Sequence, residues 1–128
     1  MNSIIDFDLL QQNHNKKLPT LFLGHGSPMN AIEENEFANA FKELAKTFAK
    51  PKAILCISSH WFIPATKVTA MQKPRTIHDF GNFPQELFDV EYPAQGMPDL
   101  AEYIQELLFP HKVELDYDWG FDHGAGVC

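Results

Sequence analysis

Two short apolar runs, each closed by a histidine, constrain this chain more than any other feature. Thr20-Leu21-Phe22-Leu23-Gly24 leads into His25, and Ala53-Ile54-Leu55-Cys56-Ile57-Ser58-Ser59 leads into His60. Continuous apolar runs of this length bounded by turn residues read as buried parallel strands, and open α/β sheets bind ligands just outside the carboxyl ends of such strands. Both imidazoles are therefore expected at the functional edge of a sheet.

The residues between the runs supply the crossover that a parallel pair requires. Asn30-Ala31-Ile32-Glu33 has the form of a capping box and predicts the start of a helix. Phe37, Phe41, Leu44 and Phe48 fall on one face of that helix, Glu43, Lys46 and Lys50 on the other, and Pro51 ends it. The resulting β-α-β unit would put the two histidine corners on one sheet edge. Neighbouring strands lie about 4.8 Å apart, and two imidazole nitrogens about 2.1 Å from one metal need be only about 3 Å from each other, so leaning side chains can share a cation.

Further along, Lys67–Met71 predicts a third strand, and the aromatic, proline-bearing stretch from Lys73 to Pro98 reads as a functional loop region. Pro98 and Asp99 open a second helix with Leu100, Ile104, Leu107 and Leu108 on one face, closed by Pro110. His111–Asp116 predicts the last strand, and Asp118-Trp119-Gly120-Phe121-Asp122-His123-Gly124 presents a glycine-flanked histidine in a loop. The fold class expected is α/β: a mixed or parallel sheet flanked by helices with a β-α-β start, residues 1–128 forming part of one domain.

Charge and cysteine usage exclude several roles. Acidic residues number 17 against 10 basic ones, a net charge of -7, and the scattered Lys and Arg offer no stripe for a nucleic-acid backbone. The acidic opening, Met1 to Asp8, does not suit a signal peptide, and no run has the length of a membrane span, so a cytoplasmic protein without a membrane partner is expected. Cys56 and Cys128 make no metal-like spacing; Cys56 reads as a small core residue.

Five motifs occur in a telling order: Gly24-His25-Gly26-Ser27-Pro28-Met29, Ser58-Ser59-His60-Trp61, Ile77-His78-Asp79-Phe80-Gly81 with Phe83-Pro84, Tyr92-Pro93-Ala94 with Gly96, and Trp119 to Gly124. In this the chain resembles the N-terminal half of the DOPA-dioxygenase-type class III extradiol ring-cleavage dioxygenases, the family of catalytic LigB-like subunits. The resemblance implies a non-haem enzyme that opens a catechol ring with O2 at one mononuclear site holding Fe(II) or Zn(II). It implies metal ligands at His25 and His60 and a catalytic acid–base residue at His123.

The same resemblance implies further ligands from a C-terminal half, and the closing Gly124-Ala125-Gly126-Val127-Cys128 lacks the tryptophan expected after Asp-His-Gly. The expectation is a truncated copy with weak or absent ring cleavage by itself and a tendency of copies to associate into a homo-oligomer.

Plainer readings stand beside these. A lone histidine at a strand end is ordinarily a hydrogen-bonded structural residue, whereas two at matching strand ends favour ligands. His123 reads either as a turn residue or as a functional one. His78-Asp79 reads either as a carboxylate–histidine pair that orients a site group or as turn chemistry, with His78 and Trp61 as candidate substrate-binding residues. Trp61, Phe62, Phe80, Phe83, Phe88 and Tyr92 are either pocket walls for a planar substrate or core. His14 and His111 read as surface groups. Gly24 to Pro28 lacks the lysine of a phosphate loop and the spacing of a nucleophile elbow. A non-enzymatic binding module on the same scaffold is the alternative function; metal-assisted hydrolysis lacks a carboxylate base beside either histidine.

Overall fold

The computed structural model describes residues 17–127; His14, Cys128 and the acidic opening stretch lie outside them. The elements are α1 (Glu36–Ala45), β1 (Lys67–Thr69), α2 (Gln85–Phe88), α3 (Pro98–Leu107), β2 (Glu114–Asp116) and α4 (His123–Gly126), with a 3₁₀ turn over Pro28–Ala31 before α1. The fold is mixed α/β. None of the described helices is long and apolar enough to cross a membrane.

The sheet forms where the third and last strands were expected. β1 and β2 pair in parallel, with Lys67 opposite Glu114, Val68 opposite Leu115 and Thr69 opposite Asp116. Parallel strands need a crossover, and α3 supplies it by packing on both. Pro98 suits the first turn of α3 because its missing N–H is one that no helix satisfies there. The buried side chains Ala70, Ala101 and Val113 belong to this β-α-β unit, while Leu87 anchors α2 in the long loop region.

Beyond the sheet the same two chain segments meet once more. An isolated parallel bridge joins Thr76 to Phe121, through Ile77 N–H to the Phe121 carbonyl at 2.7 Å and Phe121 N–H to the Arg75 carbonyl at 2.8 Å. Gly120 permits this approach, because a Cβ there would stand 2.0 Å from the Arg75 carbonyl oxygen. Continuing the parallel register carries residue 79 alongside residues 123 and 124.

The first half departs from expectation in three respects. The runs 20–24 and 53–59 are extended without forming a ladder, so the β-α-β unit is β1-α3-β2 and not the pair of histidine strands. A strand is held by its neighbours, and among the described residues neither run has one, so Phe22, Ile54 and Ile57 stand exposed. Cys56 is exposed too, and not a core residue, because its run is not covered. The helix begins at Glu36 with Asn35 as its cap, accepting from Ala38 N–H at 2.9 Å, instead of opening at Asn30. Ser27 and Pro28 start the 3₁₀ turn instead, and the amide of Asn30 is taken by the His25 carbonyl.

Candidate metal centre

Three histidines from three separate segments converge. His25, His60 and His123 each place a ring nitrogen within 4.8 Å of the others'. The Nε2 atoms of His25 and His60 are 2.8 Å apart, and the His123 ring lies 3.8 Å from His60 and 5.1 Å from His25, centroid to centroid.

Each ring is held by its own local device. At His25, Asn30 Nδ2 donates to the backbone carbonyl at 2.9 Å, and Asn35 Nδ2 donates to Asn30 Oδ1 at 2.8 Å. Two amides thus tie the cap of α1 to this corner. At His60, the backbone N–H donates to Ser58 Oγ at 3.2 Å, and the Ser58 hydroxyl donates to Asp122 Oδ1 at 2.7 Å. Asp122 is 2% exposed; it also accepts from Trp119 Nε1 at 3.3 Å and, as the cap of α4, from Ala125 N–H at 3.2 Å. The side chain before His123 therefore fixes the segment that carries His60. At Gly124 a Cβ would stand 2.9 Å from Cδ2 of His60 and 2.7 Å from Ser58 Oγ, so this close packing requires glycine.

Behind the rings stands Asp79. Its Oδ1 accepts from His123 Nδ1 at 2.6 Å and from His123 N–H at 3.2 Å, and its Oδ2 lies 3.9 Å from His60 Nδ1. Burial pushes the Asp79 carboxyl up, but the hydrogen bonds from the His123 ring and backbone outweigh it and hold the group below its ordinary value. The His25 ring is held below its ordinary value by burial first and then by the neighbouring His123 and His60 rings, which favours the neutral form that metal ligation needs. His25 Nδ1 is buried with no hydrogen-bond partner among the described residues.

The arrangement fits a cation. Two nitrogens about 2.1 Å from one ion and roughly at right angles to each other stand about 3 Å apart, close to the 2.8 Å between His25 and His60. With Nδ1 of His123 taken by Asp79, Nε2 is the nitrogen that ring has free for a ligand or a proton.

The other candidates have partners of their own. His78 turns its Nε2 to the Val90 carbonyl at 2.7 Å, and Trp61 stacks on Trp119 with ring centroids 5.8 Å apart and planes 5° from parallel. His78 does line, with Phe80, Leu87, Tyr92 and His123, a cavity of about 30 Å³, and Phe80 meets the His123 ring edge-on at 5.6 Å. Sequence reasoning set Asp79 beside its neighbour His78, whereas the carboxylate serves His123, 44 residues away. Ser58 and Asp122 stand inside two of the motifs, but nothing in the sequence pairs them, as their hydrogen bond does.

Residues 19–127 match the family described as the catalytic LigB subunit of aromatic ring-opening dioxygenase. The chain is 54% identical over 110 residues to the 4,5-DOPA dioxygenase extradiol of Escherichia coli (strain K12), covering 85% of this chain and 41% of that protein. It is 42% identical over 114 residues to the protein of the same name from Beta vulgaris, covering 84% and 42%, and 39% identical over 114 residues to that from Portulaca grandiflora. The chain thus spans about two fifths of the length of these curated relatives.

Proposed function

Given that this chain belongs to the family of catalytic LigB subunits of aromatic ring-opening dioxygenases, we propose that it carries the metal-binding part of an extradiol ring-cleaving enzyme acting on a catechol with O2. The relatives' shared name points to DOPA as the catechol. The observation that carries the reading is the convergence of His25, His60 and His123 on one point.

In this reading His25 and His60 hold one Fe(II) or Zn(II) as neutral nitrogen donors. The bound metal supplies positive charge that makes a catechol hydroxyl more acidic and, as iron, the redox capacity that O2 chemistry needs. His123, its Nδ1 anchored on Asp79, takes a proton from a catechol hydroxyl at Nε2 and returns it to the product. Phe80, edge-on to His123, borders the space a flat ring would enter. His78 borders the same space through the cavity wall it shares with His123, and Trp61, stacked on Trp119, steadies the His60 segment against the His123 segment.

Oxygen uptake by this chain alone is expected to be weak, because His25 and His60 of the cluster ride on extended segments with no strand partner among the described residues. Exposed Phe22, Ile54, Ile57 and Phe62 support association between copies, which sedimentation velocity tests through the concentration dependence of the sedimentation coefficient. Elemental analysis after reconstitution with Fe(II) or Zn(II) tests the central reading: about one equivalent per chain is expected, lost in a His25→Ala, His60→Ala double variant. Parent protein that takes up no metal, or a double variant that retains it, would overturn the reading.

A further inference from the structure

We infer that Asp79 is the positioning residue of the histidine cluster, one carboxylate that fixes the His123 ring by hydrogen bonds and faces the His60 ring as a nearby charge. This rests on the proposed metal centre and goes beyond it in making His123 Nε2 a third donor to the ion while no catechol is bound. Asp79 Oδ1 accepts from both the ring and the backbone of His123, at 2.6 and 3.2 Å, and Oδ2 faces His60 Nδ1 at 3.9 Å. A carboxylate only accepts, so it selects the tautomer of His123 with the hydrogen on Nδ1 and leaves the Nε2 lone pair for the cluster. For His60 the same placement puts Nδ1 toward the carboxylate and Nε2 toward His25.

The other nearby acid, Asp122, is committed differently. Its Oδ1 takes the Ser58 hydroxyl and Ala125 N–H, and its Oδ2 takes Trp119 Nε1. The side chain of Asp79 is 20% exposed, sheltered enough for an ionic hydrogen bond to fix a ring. Its place agrees with the Thr76–Phe121 bridge, whose parallel register continued three residues on reaches Gly124, the neighbour of His123.

The test combines ¹⁵N NMR of the imidazoles with zinc affinity measured by competition against a chromophoric chelator. In the parent chain His123 is expected as the Nδ1–H tautomer. Asp79→Ala is expected to move it toward Nε2–H and to weaken zinc binding about 10- to 100-fold, the usual scale for losing such a partner. Asp79→Asn keeps an acceptor, so it is expected to retain the tautomer and to restore most of the affinity.

An Nε2–H tautomer in the parent would overturn the inference, as would an alanine variant that leaves both tautomer and affinity unchanged, or an asparagine variant no better than alanine. If the alanine variant does not fold, the parent and asparagine spectra decide the question. A parent with the Nδ1–H tautomer but no zinc affinity would remove the metal reading while leaving the orientation of His123 by Asp79 intact.

Discussion

Residues 17–63 and 64–127 are both rich in apolar side chains, yet they treat them in opposite ways. In the first region Phe22 is 103% and Ile57 92% exposed, and Ala38 is the one hydrophobic residue buried; in the second Leu87 and Ala101 are each 2% exposed. The difference is one of partners, not of composition. β1 has β2 beside it and α3 across it, whereas the runs before His25 and His60 have no ladder among the described residues. An apolar run makes a core only when another element covers it. The two regions nevertheless meet at one centre, joined by the Ser58–Asp122 hydrogen bond.

Side-chain truncation separates the two regions most sharply. Leu87→Ala is expected to cost about 2–5 kcal/mol, while Ile57→Ala, which removes an already solvated side chain, stays within about 0.5 kcal/mol. Urea titration of both variants measures this, and equal losses would show that the first region has a buried core after all. Asp122→Ala attacks the join between the regions. It leaves the Ser58 hydroxyl and Trp119 Nε1 without their acceptor, with an expected loss of about 1–3 kcal/mol and a drop in zinc affinity as His60 is released. Unchanged affinity in that variant would mean the regions are held together by something else.

The smallest expected effect is on acid stability. His25 titrates below its ordinary 6.5 in the folded chain, so the unfolded chain takes up that proton first, and stability should decline as pH falls through 6.5. Asp79 titrates below its ordinary 3.8; its contribution is present above that value and is lost as pH falls through the lower folded value. Thermal midpoints between pH 7 and 3 should fall in both windows, the lower step being absent in Asp79→Asn. A midpoint that rises from pH 7 to 5.5 would contradict the neutral state of His25.

Much of this was legible in the chain itself. The period of α3, its opening Pro98 and the strands around Lys67 and Glu114 were read within a few residues, because strong amphipathy and proline act locally. The family resemblance implied a shared site for His25 and His60 with His123 beside it, but the β-α-β unit expected to bring the first two together does not form. What escaped was everything decided by competition at a distance. Asn30 had a plausible role as a helix cap, but its Oδ1 accepts from Asn35 Nδ2 while its Nδ2 donates to the His25 carbonyl; Asp79 stood next to one histidine and bonded another. Side-chain hydrogen bonds between segments leave no period in a sequence.

One feature of α4 reaches further than its single turn suggests. His123 is the first residue of that turn, and the amides of Ala125, Gly126 and Val127 are bonded back to Asp122 and His123. An ion that binds the His123 ring in its wound setting stabilises this turn by mass action, so protection of the turn is expected to rise with occupancy. Deuterium uptake at those three amides would then serve as a silent gauge of how full the centre is, readable without colour, turnover or any label on the ion.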